Sequence, residues 1–220
     1  MKHPQWNIAI VTSAGSWMQR HVERLHEALA ESHVVTTYHQ HEDVAACDIA
    51  IYLSYTRIVP ADVLARARSN VVVHASDLPR GRGMSPMTWQ ILAGARSIPV
   101  TLFEAVEALD AGPIYLQTHM STVGNELLPE LREALAAITV DMCREFVARF
   151  PTIIAEGRPQ RGESSVHQRR RPNDSRLDPS VPLAEQFDLL RVVDNERYPA
   201  YFTYRGRTFK LTIEPAERED

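Results

Sequence analysis

Val71-Val72-Val73-His74-Ala75-Ser76-Asp77-Leu78-Pro79-Arg80-Gly81-Arg82-Gly83 decides the architecture of this 220-residue chain. Three consecutive valines read as a strand covered on both faces, the pattern of a parallel sheet that carries helices on either side. Polar residues follow at once, so His74 stands at the strand's carboxyl end, where open α/β sheets hold their chemistry. A second β-rich run, Ile98-Pro99-Val100-Thr101-Leu102-Phe103, leads through an acidic segment to Ala108-Leu109-Asp110-Ala111-Gly112. That Asp-Ala-Gly turn presents Asp110 on a second loop.

Outward from this stretch, strands and helices alternate. Residues 7–12 read as a first strand, and Ser16 with Gln19 predicts a capping box. Met18, Val22, Leu25 and Leu29 then recur on one helical face. Residues 34–38 and 48–53 read as further strands, and 61–68 as a short helix after Ile58-Val59-Pro60. Leu131, Leu135, Ile138, Met142 and Phe146 predict a long helix ending near Pro151. The expectation is an α/β fold: a Rossmann-like, mostly parallel sheet with helices on both faces. Residues 155–180 are rich in Gly, Pro, Arg, Ser and Asp and read as an extended, unpacked connector. Beyond it, 183–193 predicts a helix, and two β-rich runs around Arg205-Gly206-Arg207 predict a hairpin. The division is therefore 1–154 catalytic domain, 155–180 connector and 181–220 small C-terminal subdomain.

These residues resemble the folate-dependent formyltransferases. That family carries Asn-x-His-x-Ser-Leu-Leu-Pro, a Gly-containing loop and Leu-Asp-x-Gly, with the aspartate 36 positions after the histidine; His74 and Asp110 have that spacing. Ser85-Pro86-Met87-Thr88-Trp89 is similar to the family's Pro-x-x-Trp segment, and Arg171-Pro172-Asn173-Asp174 to a segment that follows the catalytic domain in its sugar and tRNA branches. Val72 stands where the family has asparagine. Asn70 lies four strand residues before His74, roughly 13 Å at about 3.3 Å each. Ser76, another side chain or a backbone N–H has to supply that hydrogen bond, or catalysis is impaired.

The resemblance implies transfer of a formyl group from 10-formyltetrahydrofolate, a co-substrate, to an amine. His74 would donate to the tetrahedral oxyanion, and Asp110 would orient the imidazole and accept the amine proton. It also implies a folate pocket along residues 103–110, with Phe103, Glu104 and Asp110, and along residues 55–59, with Ile58. Arg80-Gly81-Arg82-Gly83 reads as a solvated turn or, beside the catalytic strand, as a clamp in which Arg82 grips a diphosphate or a folate carboxylate. Trp17 reads as core packing or as a stacking platform for a nucleotide sugar. Trp89, at helical spacing with Leu92, reads as core, and His33, His39 and His41 as surface residues.

Composition narrows the partners. A net charge of −4 and a pI near 6.1 give no electrostatic footprint for nucleic acid, and Arg169-Arg170-Arg171 alone reads as an exposed run. Two cysteines without a Cys-x-x-Cys spacing suit a reducing compartment and lead to the expectation of a cytoplasmic protein with no metal. No apolar run is long enough to suggest a membrane partner, and neither a signal peptide nor a tRNA-gripping C-terminal domain is expected. The tail looks most like the sugar N-formyltransferase branch linked to pseudaminic-acid-type pathways. The expected partners are therefore a reduced folate and a nucleotide-linked amino-deoxysugar, with room for a homodimer. The alternatives are a formyl-folate hydrolase, transfer to a carrier-bound amino acid, and a non-catalytic folate or nucleotide-sugar binder. Val72 is the best argument for the last.

Overall fold

The computed structural model describes residues 4–216. In chain order its elements are β1 (Asn7–Thr12), α1 (Gln19–Ala30), β2 (Val34–Tyr38), β3 (Cys47–Leu53), α2 (Ala61–Leu64), β4 (Ala67–His74), β5 (Arg82–Gly83) and α3 (Pro86–Leu92). They continue with β6 (Ser97–Glu104), β7 (Ile114–Ser121), α4 (Leu128–Arg149), β8 (Val166–His167), α5 (Phe187–Leu190), β9 (Ala200–Tyr204) and β10 (Arg207–Leu211). The central sheet has the order β2-β1-β3-β4-β6-β7. The pairings from β2 through β4 are parallel, whereas β6 is antiparallel to both of its neighbours.

Side-chain alternation explains why both faces need cover. Ile8, Ile10, Ile49, Ile51 and Val71 join Val22 and Leu25 of α1 and Phe146 of α4 in the main core. Ala9, Val11, Ala50 and Tyr52, one residue out of phase, form a second cluster on the other face with Val44. Burying a side chain such as Leu25 stabilises by about 1.5–3 kcal/mol, so these two layers hold the sheet edge that carries the polar residues. No helix among the described residues is long and apolar enough to cross a membrane.

The sequence order reverses between β2-β1 and β1-β3, which opens a crevice at the carboxyl ends of the parallel strands. Trp17 follows β1, Ser54 to Thr56 follow β3, and His74 ends β4, so three connections converge there. β6 approaches differently. Its pairing sets Thr101 opposite His74 and Glu104 opposite Val71. The strand thus ends three residues, roughly 10 Å, away from the level of His74, and the following loop must climb back to present Asp110.

Several expectations are corrected. α1 begins at Gln19 with Met18 as its cap, because the Ser16 hydroxyl accepts from Met18 N at 3.2 Å instead of closing a capping box. The helix expected at 61–68 ends at Leu64, and Ala67 already belongs to β4. The helix expected at 183–193 shrinks to a 3-10 turn and the single turn of α5. His41 is buried, its Nδ1 2.8 Å from the Tyr55 hydroxyl. Trp89 is half-buried, and its indole N–H donates to the Gln168 carbonyl at 2.9 Å. The connector is no unpacked linker: β8 pairs with β5, and Arg158 bridges to Ile114.

Candidate active site

His74 is fixed by its strand and by one polar contact. Its side chain is 10% exposed, and Nε2 lies 2.9 Å from the Gly81 carbonyl oxygen. A carbonyl can only accept, so Nε2 carries a hydrogen. Gly81 has φ +71°, and a Cβ there would stand 3.0 Å from Ser76 Cβ and 3.1 Å from His167 Nε2. Glycine therefore lets the loop fold back onto the imidazole.

Asp110 reaches the same point from the β6–β7 loop. Its side chain is 14% exposed, and Oδ2 lies 3.9 Å from His74 Nε2 while accepting from Gly83 N at 2.8 Å. The Asp110 backbone is left-handed, φ +47°, and Gly112 packs so closely that a Cβ would come 1.8 Å from the Glu104 carbonyl oxygen.

Two cavities meet at His74. One, of about 390 Å³, runs between Tyr55 to Val59 and the loop from Ala105 to Asp110, with Val72 and Phe103 in its wall. The other, of about 290 Å³, is lined by Trp17, Met18, Thr88, Leu128 and Arg132. The Arg132 guanidinium sits 5.7 Å from the Trp17 ring centroid and forms an ion pair with Asp194 at 3.0 Å. Beyond Met84 and Arg132 a third groove, about 230 Å³, adds Arg169, Arg170, Arg197 and Tyr198. Ser54, Val73, His74, Gly83 and Met84 line both of the first two cavities.

The structure thus brings together His74, Asp110, Ile58 and Phe103 in or beside one cavity, and Trp17 in the other. Three expected site residues lie elsewhere. Ser76 is 1% exposed, lines neither cavity, and its hydroxyl has no partner among the described residues. Glu104 turns its carboxylate away from the cavity into a cluster with Ser69 Oγ at 2.6 Å, Asn70 N and Tyr115 OH at 2.9 Å; burial, the largest influence, raises its pKa against these bonds. Arg82 donates Nη2 to Gln160 Oε1 at 2.6 Å and lines none of the three cavities, because the connector has captured it. Asn70 bonds the Leu64 carbonyl and is no substitute for an asparagine at Val72.

Sequence reasoning passed over Ser54, Gln160, Ser165 and His167. Ser54 is a non-glycine residue with φ +49°, and its hydroxyl makes no hydrogen bond among the described residues. Ser165 Oγ accepts from Gly81 N at 2.9 Å, and its carbonyl accepts from Arg82 N. His167 stacks on Trp89, centroids 6.2 Å apart, and burial followed by repulsion from His74 lowers its pKa. The signal for Gln160, Ser165 and His167 was their nearness in sequence to the segment 171–178, which the connector reading set aside. Among the described residues no cluster of three His, Cys, Asp or Glu side chains is placed to hold a metal.

Comparison with known proteins converges on one family. Residues 43–142 match the formyl transferase domain. The chain is 30% identical over 180 residues to methionyl-tRNA formyltransferase of Thermus thermophilus, covering 80% of this chain and 58% of that protein. It spans about half the length of the curated relatives it matches. Among solved structures, methionyl-tRNA formyltransferase from Clostridium thermocellum superposes with a TM-score of 0.81 at 22% identity, covering 97% and 95% of the two chains. HypX from Aquifex aeolicus in complex with tetrahydrofolic acid gives 0.72 at 18% over 93% of this chain and 37% of that one. A sugar N-formyltransferase from Shewanella gives 0.70 at 13% over 99% and 100%. These structures share the fold, and the matched segment contains the strand, the histidine and the aspartate around which both cavities are built. The comparisons thus give this chain a formyl transferase domain at residues 43–142, on the fold that methionyl-tRNA formyltransferase and sugar N-formyltransferase structures share.

Proposed function

We propose that the chain moves a formyl group from 10-formyltetrahydrofolate to the amine of a nucleotide-linked amino-deoxysugar. The observation that carries this reading is the meeting of two cavities at His74, one walled by residues 55–59 and 103–110, the other leading past Trp17 and Arg132 to an arginine-lined groove. The first takes the folate donor and the second the acceptor. Trp17 offers a stacking face, and the groove offers guanidinium groups to a diphosphate.

In the reaction the free amine's lone pair forms the new C–N bond, the formyl oxygen becomes an oxyanion, and the bond to the folate nitrogen then breaks. His74 Nε2–H has that oxyanion as an alternative acceptor to the Gly81 carbonyl. Ser54 adds a hydroxyl donor in the shared wall, the role sought at Val72 and Ser76. Asp110 holds the imidazole and takes the amine proton, which passes to the departing folate nitrogen.

Methionyl-tRNA is the competing acceptor, favoured by the identity of the curated relatives. Turnover of 10-formyltetrahydrofolate is to be measured alone, with a nucleoside-diphosphate 4-amino-deoxysugar and with methionyl-tRNA. Turnover that requires the amino sugar is expected, rising with pH until the amine is mostly unprotonated. Formylation of methionyl-tRNA alone, acceptor-independent hydrolysis or no turnover with any acceptor would each overturn the proposal.

A further inference from the structure

Gln160 sits at the convergence of the two loops that carry the site, on the connector and half-buried. Its Nε2 donates to the Asp110 carbonyl at 2.8 Å and to the Gly112 carbonyl at 3.0 Å. Its Oε1 accepts from Arg82 Nη2 at 2.6 Å. Both ends of one amide are therefore used, two hydrogens on the Asp-Ala-Gly turn and the oxygen on the loop of residues 81–83.

The turn needs such a hold. Asp110 adopts the left-handed backbone region at φ +47°, which is unfavourable for a residue with a side chain. Gly112 pins the far side of the turn against Glu104, and Gly83 N pins the carboxylate. Between these two points the carbonyls of residues 110 and 112 are fixed from the connector by Gln160 alone among the described side chains. Without it the backbone at Asp110 is free to relax, and Oδ2 leaves its place 3.9 Å from His74 Nε2.

We propose that Gln160 is a positioning residue: it fixes Asp110 against His74 and couples the aspartate turn to the Gly81–Gly83 loop. The inference rests on the formyl-transfer reading for its kinetic consequence but not for its structural one. Glutamine is specific here. Glutamate would bring acceptor oxygens against two carbonyls while keeping its contact with Arg82, and methionine would keep the length and lose every bond.

The test uses Gln160→Met and Gln160→Glu in the full chain, with steady-state kinetics, thermal melting and hydrogen exchange at the Gly83 amide. Both variants should lower kcat by roughly tenfold to a hundredfold, the scale of a misplaced catalytic group. KM for 10-formyltetrahydrofolate should stay within about twofold, and Gly83 exchange should accelerate at least about tenfold, with sheet amides of β3 unchanged. Wild-type kcat in folded Gln160→Met, wild-type kcat in Gln160→Glu, or unchanged Gly83 exchange in both would overturn the proposal. If the wild-type chain transfers no formyl group, the exchange measurement still decides whether Gln160 holds the turn, so the two failures are distinguishable.

Discussion

The β4 edge and the connector bring residues to the same point of the candidate site by opposite means. His74 arrives on a strand whose valines are packed by the sheet and its covering layers, so hydrophobic burial sets its position. Gln160, Ser165 and His167 arrive on a segment with almost no apolar content, held by bonds to backbone groups and by the two-residue pairing of β8 with β5. The difference teaches where sequence is legible. Burial imposes a period on the residues, whereas side-chain bonds to a distant backbone impose none.

The largest effects should fall on the edge. His74→Ala and Asp110→Ala should each lower kcat/KM by at least about 10²-fold, the scale of a lost proton-transfer or oxyanion group, with Tm changed by only a few degrees. Steady-state kinetics beside a thermal melt checks this, and near-wild-type turnover in either variant would remove the edge from the mechanism. Ser54→Ala should lower kcat by about 10²-fold at similar folate affinity if its hydroxyl meets the oxyanion. Ser76→Ala is its control: deleting a buried hydroxyl that has no partner should leave kcat within about twofold and Tm unchanged or higher. The reverse ranking would return the donor role to Ser76.

Much of this comparison was readable beforehand. The strand from Val71 and the αβ alternation came directly from residue patterns, the pairing of His74 with Asp110 came from the spacing shared with the formyltransferases, and the formyl transferase domain at 43–142 covers that region. Glu104 was misjudged because β6 runs antiparallel, which turns its carboxylate into the Ser69–Tyr115 cluster; the sequence of a strand does not state its direction. Arg82 was misjudged because its partner, Gln160, lies 78 residues away on a segment without periodicity. Ser54 was invisible because only its backbone angle and its place in both cavity walls mark it.

A variant at the seam between the loop after β4 and the connector should show an intermediate effect. At Gly83, φ is +92° and an added Cβ would lie 2.4 Å from the His167 carbonyl oxygen, a backbone atom that cannot simply swing aside. Gly83→Ala should therefore separate β5 from β8 and move the amide that binds Asp110 Oδ2. Destabilisation of about 1–3 kcal/mol is expected from the strained backbone, with kcat lowered roughly tenfold through the displaced carboxylate. Chemical denaturation and kinetics measure the two parts. An unchanged kcat would mean that the connector encloses the site without shaping it.

The smallest effect is a pH dependence that separates the two regions. His167 has its pKa held below the ordinary 6.5, first by burial and then by the charge of the facing His74. The folded chain thus resists a proton that the unfolded chain accepts, so the contribution of His167 to stability is present above pH 6.5 and is lost as pH falls through its lowered folded value. His21 and His33 share the direction but lie on α1 and beside β2, away from the connector. Local opening at β8 should report His167 specifically, because the Arg82 and Met84 amides donate to the Ser165 and His167 carbonyls across that pairing. Between pH 7 and pH 5.5, exchange at those two amides, corrected for intrinsic rate, should accelerate several-fold while amides of β3 stay constant. His167→Gln should flatten that acceleration even though it loses the stack on Trp89 and starts from a lower protection. The same pH dependence in the variant and the wild type would assign the low-pH loosening to the other histidines and leave the connector as firmly held as the sheet.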